Sequence, residues 1–296
     1  MSHVVRTRVL VASLAVTVLS GDLLAQAAER VLYVTALDER SKVPVESLTP
    51  ADLRVTEDDR AREIVRVTPA TTPMPVAVVV DNQAAAQATI ADLRTALTRF
   101  LPEIAGLGPV ALITTADRPT IAQDYTTDAE KLTQAANRLF SQPGSGATLL
   151  DALVEVSRGL GRREEERAAI VLVTLELTEF STLHYSQVLE GLKKSGAMMS
   201  GVILNNPRGS NQNDAARNRA VVLDRGIRDS GGTRVDVLTS LSYGTALSQV
   251  SAALKHQHRV VYLRPQQLIP PERIAVTAVK PGTFVTGAPA RGQKER

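Results

Sequence analysis

Apolar and polar positions along this 296-residue chain follow two periods, and the switches between them mark out blocks. From residue 28 to about residue 70 the pattern is strand-like. Val31–Leu37 is a run of strand formers closed by the polar stretch Asp38–Ser41, and Leu53–Glu57 alternates apolar and polar positions with period two. Asp58-Asp59 supplies a turn, after which Ile64–Val67 is expected to pair back as a hairpin partner. Three strands joined by short polar turns cannot bury both faces, so a partner sheet is required.

From residue 71 to residue 256 strands and helices alternate. Pro75–Val80, Val110–Thr114 and Ala169–Thr174 are continuous apolar runs, the signature of strands covered on both faces. Between them Ile90, Leu93, Leu97 and Leu101 fall three or four apart, predicting a helix from Ala84 to Leu101 that Pro102 stops. Thr120–Tyr125 reads as a short edge strand, and Asp128 as the cap of a helix reaching Phe140. Thr148 opens a helix to Leu160, and Tyr185–Lys194 forms another, stopped by Gly196. Val202–Leu204 is a strand, Asn205–Asn211 an exposed loop, and Ala215–Asp229 a helix ending at Gly231-Gly232. Val235–Leu238 and Tyr243–Lys255 complete the alternation, which predicts an α/β fold with a doubly wound, mostly parallel sheet. Ligands of such sheets bind beyond the carboxyl ends of the strands. Residues 257–285 return to strands, Val260–Leu263 and Ile274–Val279, which are expected to join the N-terminal ones in a small β-rich domain. Residues 286–296, mostly Gly, Pro, Ala and charges, read as a flexible tail.

Residues 1–27 carry a different signal. Arg6 and Arg8 precede the apolar run Val9–Leu19, and Ala25-Gln26-Ala27 places small residues where a signal peptidase requires them. The run is short of the roughly 20 residues a spanning helix needs. A signal peptide cleaved after Ala27 is therefore expected, giving a secreted or periplasmic chain with no membrane span. Cysteine is absent, so thiolate metal sites and Cys nucleophiles are excluded. A net charge of +3 exerts little pull on polyanions, and aromatics at 3% offer few stacking surfaces, so nucleic acid is not an expected partner.

Ser47–Asp58, Gln123–Asp128, Ala147–Leu153 and Gly231–Val235, taken in order and spacing, resemble the von Willebrand factor type A (vWA) domain in its secreted bacterial form with a β-rich lead. The resemblance implies a Rossmann-like fold, with a divalent ion held at the strand ends by oxygen ligands from three loops and completed by a partner's carboxylate. The family's first loop reads Asp-x-Ser-x-Ser; here Asp81 is present, but Gln83 and Ala85 stand at the hydroxyl positions. The second loop keeps its hydroxyl as Thr148, whereas Leu175 stands where the third loop's Asp belongs. Glu176 comes one residue late and, at strand period two, projects to the opposite face. Asp81, Gln83, Ala85, Thr148 and Leu175 are thus vestigial positions, and no metal or other cofactor is expected beyond weak Mg²⁺. With the ion lost, Asp81 and Thr148 are read alternatively as caps of the helices that follow them.

Other polar groups carry less. His184 starts a helix without a Ser-centred turn motif near it, and His256 and His258 lack a third ligand nearby. Glu164–Glu166 reads as a solvated run, and Gly144-Ser145-Gly146 is too short to cradle a phosphate. No catalysis is expected. The reading is a secreted or periplasmic, non-enzymatic protein-binding module, independent of metal, whose partner face comprises Asp81, Asn82, Gln83, Thr148 and Glu176. The contact loops are 81–85, 145–148, 174–178 and 205–213. The alternatives are a metal-dependent adhesion module with an altered Mg²⁺ or Mn²⁺ site, and a structural component of an envelope assembly.

Overall fold

A computed structural model describes residues 27–175, 179–205, 213–265 and 269–292. The leader reading lies outside the described residues except for Ala27, which begins the first strand.

The chain starts with β1 (Ala27–Asp38), whose Val31–Leu37 run is fully buried. A single 3-10 turn, Pro50–Asp52, leads into β2 (Leu53–Glu57), where Leu53, Val55 and Glu57 point inward and Arg54 outward. Next come β3 (Arg60–Arg62) and β4 (Ile64–Pro69). The hairpin partner of β2 is β3 and not the expected Ile64–Val67. Asp58 and Asp59 both adopt positive φ, 46° and 64°. A two-residue turn of that kind fixes pairing at once, setting Glu57 opposite Arg60. Ile64–Pro69 is left to join another sheet.

The central block holds β5 (Val76–Val80), α1 (Ile90–Ala105), β6 (Val110–Thr114), β7 (Thr120–Thr126), α2 (Ala129–Asn137), α3 (Leu149–Gly161), β8 (Ala169–Leu175), α4 (Tyr185–Ser195), β9 (Met198–Leu204), α5 (Asp214–Val221), α6 (Ile227–Asp229), β10 (Arg234–Val237) and α7 (Tyr243–Lys255). Its sheet has the order β10-β9-β8-β5-β6-β7, parallel throughout except for the antiparallel edge strand β7. Period two divides β5 between two cores. Val76, Val78 and Val80 face α1, α2 and α7, while Ala77 and Val79 face α3, α4 and the residues around α6. From β5 the chain moves to β6 on one side and later to β8 on the other, so the strand order reverses at β5 and opens a crevice at the carboxyl ends of β5 and β8.

The last strands are β11 (His258–Pro265), β12 (Ile274–Ala278) and β13 (Thr283–Pro289). As expected, they join the N-terminal strands. One sheet has the order β13-β1-β11-β4, another β12-β2-β3, and Leu32, Val34, Leu53, Val55, Val260 and Tyr262 pack between them. This sandwich sits under the amino ends of the central strands. Arg167, two residues before β8, donates to the carbonyls of Thr72 and Ala70 and to Gln257. Gly231, before β10, abuts Gly287 of β13 so closely that a Cβ would come within 2.4 Å of the Gly287 carbonyl oxygen. With its base covered, the central sheet keeps its carboxyl end open.

Several boundaries depart from the expectation. The predicted Ala84–Leu101 helix is a 3-10 segment, Ala84–Ala88, followed by α1, and Pro102 lies inside α1 instead of stopping it. The buried Ile104 and Ala105 draw the last turn onto the core despite the missing amide. The helix capped by Asp128 ends at Asn137, not Phe140. The predicted Ala215–Asp229 helix is interrupted by a π-turn, Val222–Gly226. Residues 286–289, expected in a flexible tail, belong to β13 and pair with β1. Beyond them the Ala290 amide donates to Val31, and Arg291 donates to carbonyls at the ends of α3 and α4. The composition of this segment hid its strand because pairing with β1 supplies what local propensity lacks.

Candidate functional site

The site lies at the carboxyl ends of β5 and β8, where two parallel strands diverge to opposite sides of the sheet. Asp81 directly follows β5. Its amide donates to the Val173 carbonyl, and its side chain is buried. The carboxylate does not cap the next helix. Its Oδ1 accepts the Thr115 hydroxyl at 2.6 Å; Oδ2 accepts the Thr174 hydroxyl, the Leu175 amide at 3.1 Å and Nη2 of Arg219 at 3.0 Å. Thr148 does stand at the N-cap position of α3, but its side chain makes no cap hydrogen bond. Both its amide and its hydroxyl donate to the Thr115 carbonyl, each at 2.9 Å. Thr115, which follows β6, therefore ties Asp81 and Thr148 together; the reading of Asp81 as a cap is corrected, and that of Thr148 holds for its position but not for its side chain. The strand ends present free backbone amides and carbonyls and the Thr115 and Thr174 hydroxyls, and the inward-facing Asp81 carboxylate and Thr148 hydroxyl bond to these instead of to a helix start.

Asn82 is buried by the same logic. Its Oδ1 accepts the Ala116 amide at 3.0 Å and its Nδ2 donates to the Phe140 carbonyl at 3.3 Å. Gln83 is buried, and its Nε2 has no hydrogen-bond partner. Ala85 is exposed on the 3-10 turn. Leu175 ends β8 with its side chain in the core, so its contribution is backbone alone: an amide to Asp81 and a carbonyl that accepts from Arg219. Glu176 and the rest of 176–178 lie outside the described residues, as do 206–212 of the 205–213 loop. Of the expected partner face, Asp81, Asn82, Gln83 and Thr148 all have buried side chains and do not present them outward.

Two charged residues at this site escaped the sequence reading. Arg219 of α5 is 3% exposed, and its guanidinium enters the crevice, with Nη2 against Asp81 Oδ2, the Thr174 hydroxyl and the Leu175 carbonyl. Its Nη1 faces Oε2 of Glu179 at 3.4 Å. Glu179, also buried, pairs backbone with Ala147 and takes the Ser181 hydroxyl at 2.6 Å on its other oxygen. The Ser181 hydroxyl in turn accepts the Asp151 amide in the first turn of α3. Burial pushes the Glu179 carboxyl up from its ordinary value; Arg219 and Ser181 pull it down, and Asp81 pushes it further up.

A signal for Arg219 existed. Val222, Leu223 and Ile227 are buried and Arg219 precedes them by three, four and eight residues, which puts it on the inward stripe of that helix. A charged residue on such a stripe requires a buried counter-charge. Asn213 caps this helix by accepting the Ala216 amide, and Asn218 accepts the Tyr185 amide of α4, so the helix that carries Arg219 is tied at both its start and its flank.

With the Arg219 guanidinium in place, the donor set does not fit a divalent ion. Gln83, Ala85 and Leu175 bring no carboxylate or hydroxyl, the Thr148 hydroxyl is already committed to Thr115, and both oxygens of Asp81 carry protein donors. A guanidinium among these oxygens repels any second cation. Among the described residues no group of three His, Asp or Glu is disposed to hold a metal. His184 caps α4, its Nδ1 near the Ser186 hydroxyl. His258 Nε2 contacts the Glu46 carbonyl, and His256 Nδ1 contacts the Ala252 carbonyl at the end of α7. Tyr33 donates to Glu166, at the junction with the sandwich.

Among the described residues, several exposed apolar side chains stand on loops at this end of the sheet. Phe140 after α2, Phe180 after β8, Leu238 after β10 and Leu241 in the turn before α7 are 65%, 63%, 80% and 82% exposed. Phe180 donates its amide to Ala147, and its ring lies against Gly146, where a Cβ would fall within 2.2 Å of it.

No protein-family model matches this chain, and no curated protein matches it in sequence. Solved structures do match. The conserved hypothetical protein BatB of Bacteroides thetaiotaomicron is 14% identical with a TM-score of 0.47, over 62% of this chain and 99% of its own. The vWF domain of the type V pili tip protein Mfa5 of Porphyromonas gingivalis is 11% identical with a TM-score of 0.47, over 62% and 96%. An aerotolerance-related membrane protein of Bacteroides fragilis is 14% identical with a TM-score of 0.44, over 60% and 98%. At such identities and scores the fold rests on the strand order and connections described above: a vWA-like, doubly wound, mostly parallel sheet with one antiparallel edge strand, to which a β sandwich built from both ends of the chain is added.

Proposed function

We propose that this vWA-like chain is a non-enzymatic protein-binding module that recognises its partner at the carboxyl-end rim of the central sheet, without a divalent ion. The observation that carries the proposal is the pairing of exposed apolar side chains at this end of the sheet with a centre whose carboxylates are bonded internally. Phe140, Phe180, Leu238 and Leu241 stand exposed at this end of the sheet, beside a crevice in which the Asp81, Thr148 and Glu179 side chains are already bonded from within. Aromatic and aliphatic side chains in that position supply contact area that recognition of a partner's carboxylate through an ion would otherwise provide. The partner face is accordingly the rim and not the buried side chains of Asp81, Asn82, Gln83 and Thr148. The leader pattern of residues 1–27 supports export to the periplasm or medium, and no helix among the described residues is long and apolar enough to cross a membrane.

The test is capture from an envelope extract by residues 28–296, in buffer containing magnesium or a chelator. A partner retained under both conditions, and lost with Phe180→Asp or Leu241→Asp, supports the reading. Release by the chelator overturns it.

A further inference from the structure

We propose that the Arg219 guanidinium is a built-in replacement for the divalent cation of this fold, occupying the cation's seat and tying the same loops together. Four oxygens converge on it from the strand ends and the loop that follows β8: Asp81 Oδ2 at 3.0 Å, the Thr174 hydroxyl, the Leu175 carbonyl, and Glu179 Oε2 at 3.4 Å. All are hard oxygen donors, and two are carboxylates, which is the chemistry a small divalent cation takes. The guanidinium differs in two ways. It is planar and directional, so it selects donors lying in its fork, and it is covalently part of α5. The loops are thereby locked without dependence on ion concentration. Thr115 extends the lock to the second loop, since it bonds Asp81 through its hydroxyl and Thr148 through its carbonyl.

This assignment does not depend on the partner proposal, because it concerns how the crevice is filled and not what docks on its rim. Its consequence is specific. Removing the guanidinium leaves a hole lined by two carboxylates, a hydroxyl and a carbonyl, and such a hole should accept the ion that the natural chain refuses.

Mn²⁺ is the probe, read by thermal melting and by the loss of its free-ion electron paramagnetic resonance signal. The natural chain is expected to show no response in either. Arg219→Ala is expected to bind Mn²⁺, with a rise in Tm of roughly 5–10 °C at a hundredfold excess over Kd. A Mn²⁺ response in the natural chain that Asp81→Asn abolishes would overturn the assignment. So would a folded Arg219→Ala that ignores Mn²⁺, since the guanidinium would then be an ion-pair partner and not a cation's stand-in. If Arg219→Ala does not fold unaided, refolding with Mn²⁺ or with chelator gives the answer. Recovery of native circular dichroism with Mn²⁺ alone supports the assignment, and recovery with neither overturns it. Asp81→Asn with Arg219→Met, which deletes one charge of each sign, serves as the ion-independent control.

Discussion

Arg219 and the two carboxylates facing it dominate the chemistry at the residue scale, because all three side chains are at most 4% exposed. A buried pair adds little net stability over a well-packed apolar substitute, but removing one member strands the other. Arg219→Met is therefore expected to lower the unfolding free energy by about 3–5 kcal/mol in urea titration. Adding Asp81→Asn to that variant should recover part of the loss, because one stranded charge is gone. Glu179 gives this cluster a pH signature. Its folded value is raised, chiefly by burial, above the 4.5 of an unperturbed glutamate. The folded state then holds the proton more tightly than the unfolded chain, so the contribution is fully present below about pH 4.5 and fades as pH rises through the folded value. Compared with Glu179→Gln, the natural chain should lose relative stability over that rise. Urea midpoints for the two proteins that run parallel across pH 4–8 would exclude the effect.

At the scale of elements, two glycines separate structure from recognition. Gly232 stands against β9, where a Cβ would lie 1.8 Å from the Met199 carbonyl oxygen, backbone meeting backbone. Gly232→Ala should destabilise beyond the roughly 1–3 kcal/mol of ordinary overpacking, seen as loss of soluble folded protein. The nearest neighbour of a Cβ at Gly146 is the ring of Phe180, which is mostly exposed and can swing aside. Gly146→Ala should keep a Tm close to that of the natural chain yet weaken capture of the partner, because the rim loses its arrangement. Much at this scale was legible in the sequence. The unbroken apolar runs of β5, β6 and β8 could only be strands covered on both sides, and Asp128 does cap α2, accepting the Glu130 and Lys131 amides. The β2–β3 hairpin was not legible, since Arg60–Arg62 has no strand-like composition; the two positive-φ aspartates impose it.

For the whole molecule, the sandwich and the α/β block are fastened by the last described residues. The Arg291 guanidinium donates to the carbonyls of Ser195, Leu160, Arg163 and Glu165, at the carboxyl ends of α4 and α3, where helix dipoles favour a cation. The strand just before it, β13, is paired along β1. Ending the chain at Val285 removes this anchor and half of β13. The expected result is a Tm several degrees lower, at about 2–4 °C per kcal/mol, with early proteolytic cleavage between the two parts. An unchanged melt would mean that the Arg167 contacts at the junction suffice by themselves.

What the amino-acid order determined alone was the architecture: which runs are strands, which helices alternate with them, and that Asp81 and Thr148 come to one end of the sheet. Hydrophobic period is a local property, and strand-to-helix alternation leaves few ways to wind the sheet. Through the vWA resemblance it also gave the expectation that Gln83, Ala85 and Leu175 stand where oxygen ligands belong. What fills the strand-end crevice was decided only by folding. Arg219 is 138 residues from Asp81 and Glu179 is 40 from Arg219, and neither spacing carries a signal. Their meeting follows from the return of α5 over the switch point of the sheet, where two buried carboxylates required a cation and the inward stripe of a helix delivered one.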